Sequence, residues 1–254
     1  MLMQPTIEKL HLLRLSGMAK ALEQQLKDPD IHTLSFEDRL GLLIDTEATE
    51  RESKRITSRL KAAKPKQQAC IEDIKTNPSG GVDKSMLKQL ALCHWLRDHR
   101  NILISGPTGI GKTYLACSLI NGACRTGYRA LYYRTQRLFH NAALARSDGT
   151  YIKLLTKLAR IDLLVIDDFG HAVVTDDMSR DLLEIIDDRD AKSTVIASQL
   201  PIDQWHHTFT NATIADAILD RVIHSAYKFE LAGETRRKPH DTNEQTNEDS
   251  GLEF

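Results

Sequence analysis

The stretch GPTGIGKT, residues 106–113, constrains the fold more than any other part of the chain. Its Gly-x4-Gly-Lys-Thr spacing is that of a phosphate-binding loop, and the β-rich run ILIS (102–105) leads into it while the helical run TYLACSLINGACRTG leaves it. Gly106, Gly109 and Gly111 allow the backbone to curl tightly. Its N–H groups then converge on anionic oxygens, with a helix dipole behind them. Pro107, Thr108 and Ile110 complete the loop, Lys112 is placed to reach the β and γ phosphates of ATP, or the β phosphate of ADP, and the Thr113 hydroxyl to ligate Mg2+. A glycine-rich turn matching by chance would lack the strand before and the helix after.

Three further strand candidates, ALYY (130–133), LLVID (163–167) and TVIAS (194–198), are separated by stretches long enough for crossover helices. Such alternation predicts an α/β fold, a parallel sheet flanked by helices, with ligands at the carboxyl ends of the strands. LLVIDDFG then carries two adjacent acids off a strand end. Neighbouring carboxylates repel, so the pair needs solvent or a cation. By itself it reads as a capping feature. If LLVID lies beside the loop-bearing strand, both acids reach the phosphate rim, Asp167 holding magnesium through its water shell and Asp168 orienting and deprotonating a water.

Ahead of this core, Ile7, Leu10, Leu13, Met18, Leu22 and Leu26 follow a helical period that predicts a helix over 7–26, ending at Asp28-Pro29. Ser35 with Asp38 resembles a capping box opening a second helix. That helix runs into seven basic residues between 51 and 66 (Arg51, Lys54, Arg55, Arg59, Lys61, Lys64, Lys66) against one acid, Glu52. They read equally as a solvated face or as a contact surface for phosphate backbone. NPSGG (77–81) marks a linker. The expected domains are a small all-α unit over 1–77, the nucleotide domain over 78–238 and a tail over 239–254.

All 34 basic residues precede Pro239, against 30 acids there, and the other five acids lie in the tail. A mildly basic body is compatible with nucleic acid. The four cysteines have no CxxC or finger spacing and no long apolar run is present, which predicts a reduced, cytoplasmic protein without membrane contact. Cys117 and Cys124 share a helix face and read as buried small hydrophobes. The histidines (His140, His171, His206, His207, His224) lack paired ligand spacing, so they read as surface or interface residues. Tyr132, Tyr133 and Arg134 at a strand end fit either packing or nucleic-acid contact, and Arg137, Arg146, Lys153, Lys157 and Arg160 either solvated helix faces or a DNA groove.

The runs LSGMAKALEQQL, LSFEDRLGLLIDTE, NILISGPTGIGKTYLACSLINGAC, LLVIDDFG, SQLPIDQWH and TIADAILDRVIHSAYKFELAGETRRK together resemble the IstB helper ATPases of insertion-sequence transposition. These belong to the AAA+ superfamily, in the clade of the DnaC and DnaI helicase loaders and the DnaA initiator, and the likeness covers about residues 5 to 238. It implies an AAA+ P-loop core, slow ATP hydrolysis, a homo-oligomer, duplex DNA bound without sequence preference, and the element's transposase as partner. Gln199 stands at the sensor 1 position, where a strand-end turn residue before Pro201 is the plainer reading. Arg221 stands where the clade has an arginine finger reaching into a neighbouring subunit; without the resemblance it reads as an ion-pair partner of Asp216 or Asp220. Arg237, beside Arg236, matches the arginine of the closing motif. Asp168 is one methylene shorter than the Glu of many AAA+ proteins, which predicts a switch rather than a motor, and no arginine stands near Gly81 where the pattern has one. A helicase loader shares this engine. A P-loop kinase acting on a small molecule is the reading from another class.

Overall fold

The computed structural model describes residues 3–74 and 83–233. Helices α1 (Met3–Leu12), α2 (Ser16–Lys27) and α3 (Phe36–Ala63) build the N-terminal part. The single helix expected over 7–26 is two, because the chain turns at Arg14 with φ of 59° and folds α1 back along α2 around Ile7, Ala19 and Leu22. Periodicity survives such a break, since both helices keep the same apolar face inward. The Ser35 hydroxyl accepts the Asp38 amide at 3.1 Å, as the capping box predicts.

Gly17 sets the contact between α2 and α3. A Cβ there would lie 2.7 Å from the Glu47 Cα. This close approach brings the Glu47 carboxylate onto the Gly17 and Met18 amides at 2.7 and 3.2 Å, first-turn donors that have no carbonyl within their own helix. Arg51 donates to the other carboxylate oxygen at 2.7 Å. Burial acts to raise the Glu47 pKa, but these donors hold it below its ordinary value.

Helix α3 has 28 residues, roughly 42 Å at 1.5 Å per residue. Its second half leaves the bundle and joins the sheet-bearing core: Arg59 donates to the Cys124 carbonyl at 2.9 Å and Ala63 is fully buried. Ile71 beyond it belongs to the same cluster. The linker expected at 77–81 lies outside the described residues; the packing passes from bundle to core within α3. Four of the basic residues expected to form a phosphate surface meet acids of the same helix, Arg51 with Glu47, Lys54 with Glu50, and Arg55 and Arg59 with Glu52. Of these, the Arg55–Glu52 pair is exposed on both sides, and pairs of that kind are weak.

The core continues through α4 (Lys84–Ala91), α5 (His94–Arg97), β1 (Asn101–Ser105), α6 (Lys112–Arg125), β2 (Ala130–Arg134), α7 (Thr135–Ser147), α8 (Tyr151–Ala159), β3 (Leu163–Phe169), α9 (Asp176–Asp187), β4 (Ser193–Ser198), α10 (Ala212–Ile223) and β5 (Ala226–Glu230). The five strands form one parallel sheet in the order β2-β3-β4-β1-β5. Alternation divides the strand residues between two cores. Ile102, Ile104, Leu163 and Val165 face α4, α5, α6 and the end of α3, while Leu103, Leu164 and Ile166 face α7, α8, α9 and α10. Both faces are covered, which accounts for near-continuous apolar strands. The expected α/β sheet is present, with one correction: LLVID does not neighbour the loop-bearing strand. β4 lies between them, and the free edge of β1 is taken by β5, the run AYKFE.

Gly17 and Gly41 offer a paired test, because both are in helices and only Gly17 is crowded; no atom lies within 4 Å of a Cβ at Gly41. Gly17→Ala is expected to destabilise the protein by about 1–3 kcal/mol by forcing α2 off α3. Gly41→Ala should stabilise it by about 0.5–1 kcal/mol. Urea denaturation monitored by circular dichroism measures both.

Candidate nucleotide site

The loop between β1 and α6 has positive φ at each expected glycine, 142° at Gly106, 85° at Gly109 and 107° at Gly111. At Gly106 a side chain has no room either, since its Cβ would overlap the Leu231 carbonyl. Leu231 is held there by its amide, which donates to the Ser105 carbonyl at 2.8 Å and carries the β5 pairing one residue further. The end of β5 therefore braces the start of the loop. Lys112 donates to the Gly106 and Pro107 carbonyls at 2.6 and 2.8 Å, so its ammonium stays over the loop instead of pointing into solvent. Thr108 donates to the Gln199 side-chain oxygen at 2.7 Å, which brings the end of β4 against the loop.

Asp167 is the centre of the arrangement. Its carboxylate is buried at 1% exposure and accepts the Thr113 hydroxyl at 2.8 Å, the Tyr132 hydroxyl at 2.7 Å and the Asp168 amide at 2.9 Å. Strand alternation puts Asp167 on the same face as Leu163 and Val165, the face that α6 covers, so it meets Thr113 at the first turn of α6 across the intervening β4. Burial and the Asp167 carboxylate push the Tyr132 phenol far above its ordinary pKa, which keeps it a donor. Thr135 donates to the Asp167 carbonyl at 2.9 Å. Backbone and side chain are both fixed.

Asp168 is placed by a bulge. Ile166 pairs with Ile196 and Phe169 with Ser198, so β3 advances three residues while β4 advances two, with Asp168 at φ of 60°. The extra residue returns Phe169 to the face of Ile166, where its ring packs 5.0 Å from Trp205 and 6.0 Å from Phe209. Regular alternation would have buried Asp168 on that face. Instead its carboxylate is 39% exposed at the strand end, 3.6 Å from the Arg134 guanidinium. Ser198 locks the turn by donating to the Phe169 carbonyl at 2.7 Å and accepting the Leu200 amide at 3.0 Å.

The structure thus gathers the residues of 106–113, Asp167, Asp168 and Gln199 at one end of the sheet. Arg221 is at the other. Asn101, at the start of β1, donates to the Val222 carbonyl at 3.2 Å, which ties the last turn of α10 to the strand end remote from the loop. The Arg221 guanidinium pairs with Asp187 at the end of α9 and donates to the Ala217 carbonyl at 2.8 Å. Neither acid expected from the sequence is its partner; Asp216 pairs with His206 at 3.3 Å. Arg237 lies outside the described residues.

Tyr132, Thr135 and Arg134 join the site although the sequence marks them only as a strand-end aromatic and its neighbours. Their sole signal is position, because a strand beside β3 must end near the same rim. Tyr132 and Arg134 are thereby engaged with the two acids, and Tyr133 packs on the core. Arg146 leaves the expected basic groove for Asp181, at 2.6 Å. Cys117 and Cys124 are buried as expected, and burial pushes the Cys124 thiol up to about 11. Among the described residues no group of three or more His, Cys, Asp or Glu could hold a metal, and no helix is long and apolar enough to cross a membrane.

The IstB-like ATP binding protein family matches this chain over residues 8–244. An insertion sequence ATP-binding protein of Sinorhizobium fredii, y4pL, is 41% identical over 239 residues, 94% of this chain and 98% of its own. The ATP-binding protein of insertion sequence IS1162 from Pseudomonas fluorescens is 46% identical over 203 residues, covering 79% of this chain and 88% of that one. The crystal structure of DnaI shares the fold, with a TM-score of 0.56 at 20% identity over 69% of this chain and 94% of that one. With a phosphate-binding loop on a five-stranded parallel sheet and this extent of sequence likeness, the chain belongs to the IstB-like ATP binding protein family.

Proposed function

We propose that the protein is an ATP-dependent regulator of transposition. It binds ATP with Mg2+, assembles on duplex target DNA and recruits or stimulates the transposase of its element, with hydrolysis as the switch that resets it. The observation that carries the reading is the bridge from Thr113 to the Asp167 carboxylate, with Asp168 exposed beside it on a bulge. A hydroxyl and a carboxylate are hard oxygen donors, and magnesium bound with a nucleotide takes few protein ligands because phosphates and water supply the others. The donor set fits. The cation would be held by Thr113 and Asp167 and would neutralise charge on the phosphates.

In this account the loop amides bind phosphate oxygens, and Lys112 exchanges the Gly106 and Pro107 carbonyls for the β and γ oxygens. Asp168 accepts the proton of the attacking water, and Gln199, linked to Thr108, orients that water or the γ-phosphate. Arg237 serves as a nucleotide sensor. Arg221 is at the sheet end remote from its own loop, so it acts on a neighbour's nucleotide, which requires a homo-oligomer. The names of the relatives, all ATP-binding proteins of insertion sequences, support a transposase as the partner.

Three outcomes are expected. Size measurement with and without duplex DNA should show assembly in ATP and release in ADP; a monomer under every condition, with no DNA-dependent phosphate release, contradicts the reading. Lys112→Ala should abolish nucleotide binding in equilibrium dialysis, whereas Asp168→Asn should keep ATP and accumulate the assembled form; loss of ATP binding in the second variant contradicts the division of roles. Arg221→Ala should lower turnover by about 10³-fold or more. Mixing it with Asp168→Asn chains should restore part of the rate, because one interface then has both groups intact.

A further inference from the structure

The amino end of the sheet, opposite the phosphate loop, has a basic feature that the nucleotide chemistry does not use. Helix α8 and the turn before β2 border an open cleft of about 480 Å³. Arg129, Lys153, Lys157 and Arg160 line it around Ile152 and Ile161, and all four cations are exposed. Lys153, Lys157 and Arg160 follow i, i+4, i+7 spacing and so form a row along one side of α8.

Structural roles account for only part of the row. Cations at the end of a helix complement its dipole, which explains Lys157 and Arg160. Lys153 is in the first turn, where a cation opposes the dipole, and like charges at these spacings work against the helix. Among the described residues no ion pair engages Lys153, Lys157 or Arg160, whereas the Arg129 guanidinium stands 3.6 Å from Asp162. Asp162 accepts Lys192 at 2.8 Å and the Arg129 amide at 2.9 Å, and Asp148 accepts the Thr150 amide at 3.0 Å. Arg146, just before α8, is engaged elsewhere: it lies 3.8 Å over the Tyr151 ring and pairs with Asp181. Residues 125–160 contain Arg125, Arg129, Arg134, Arg137, Arg146, Lys153, Lys157 and Arg160 against the single acid Asp148.

We propose that this cleft grips the sugar-phosphate backbone of duplex DNA. From 153 to 160 the row extends roughly 10 Å at the helical rise. One strand of a duplex presents a phosphate about every 3.4 Å of rise, so the row spans about three phosphates. The lining includes no aromatic side chain on which an unpaired base could stack, which favours a duplex over a single strand. Because the cleft is at the far end of the sheet from the phosphate loop, DNA and nucleotide do not compete for it. The proposal rests on the DNA-binding reading above and adds the surface that makes the contact.

The test is equilibrium binding of a mixed-sequence duplex in ATP across a salt series. A variant carrying Lys153→Gln, Lys157→Gln and Arg160→Gln should lose about 2–3 from the slope of log K against log salt, and on the order of 100-fold in affinity at 0.1 M salt, with ATP affinity unchanged. Arg129→Gln, outside any helix, should lose about 1 from the slope and guards against a folding effect in the triple variant. A triple of equal charge on another surface, Lys84→Gln, Lys88→Gln and Arg97→Gln, should leave the slope as it was. Duplex binding by the α8 variants equal to that of the unaltered chain overturns the cleft and leaves the DNA reading intact. An equal loss in the control triple overturns it in favour of diffuse charge, and equal or tighter binding of a single strand overturns the duplex as occupant. No DNA binding by the unaltered chain overturns both the cleft and the reading beneath it.

Discussion

The hydrogen bond from Thr113 to Asp167 is the contact on which the rest of the site depends. It joins the first turn of α6 to the end of β3 across the intervening β4, so its length depends on the register of the whole parallel sheet. Two strand spacings amount to about 10 Å, a span that only a helix packed over the sheet face can close. The hydrophobic contacts of α6 with Ile104, Val165 and Ala197 provide that packing. Tyr132 and Thr135 then hold Asp167 from the β2 side, and the bulge separates Asp168 from it. A buried acid fixed by several donors and an exposed acid on a strained turn differ in the way the two proposed tasks require, one to hold a cation and the other to exchange a proton.

The sheet also separates these groups along its strands. Loop, acids and Gln199 occupy the carboxyl ends, while Arg221 and the basic cleft occupy the amino ends. In the proposed oligomer, a head-to-tail contact would bring Arg221 of one copy toward the loop of the next. The Arg221–Asp187 pair is half exposed on both sides, and such pairs contribute about 0–1 kcal/mol, so it imposes little barrier to that exchange. Helix α3 links the N-terminal bundle to the same core through Arg59 and Ala63.

Local patterns were legible in the sequence. The phosphate loop, the capping box at Ser35 and four of the five strands are each specified by residues a few positions apart. The fifth strand was missed because β5 is an edge with only Phe229 buried, so AYKFE has no apolar run to mark it. Pairing order was beyond the sequence because the apolar strands are interchangeable by composition, and β4 therefore came between β1 and β3 unannounced. The bulge at Asp168 needs the register of two strands, and the role of Tyr132 needs the proximity of β2 to β3. Arg221 was singled out through family resemblance alone, and its partner Asp187 is on another helix, so no local spacing points to it.

The central claim is that hydrolysis needs two copies, because Arg221 and the phosphate loop occupy opposite ends of each sheet. The most direct measurement is the rate of phosphate release per chain, at saturating ATP and duplex DNA, over a wide range of protein concentration. The account predicts a rate per chain that rises steeply with concentration and then levels off as every loop acquires a neighbour. A rate per chain that stays constant down to concentrations where the protein is monomeric would contradict it.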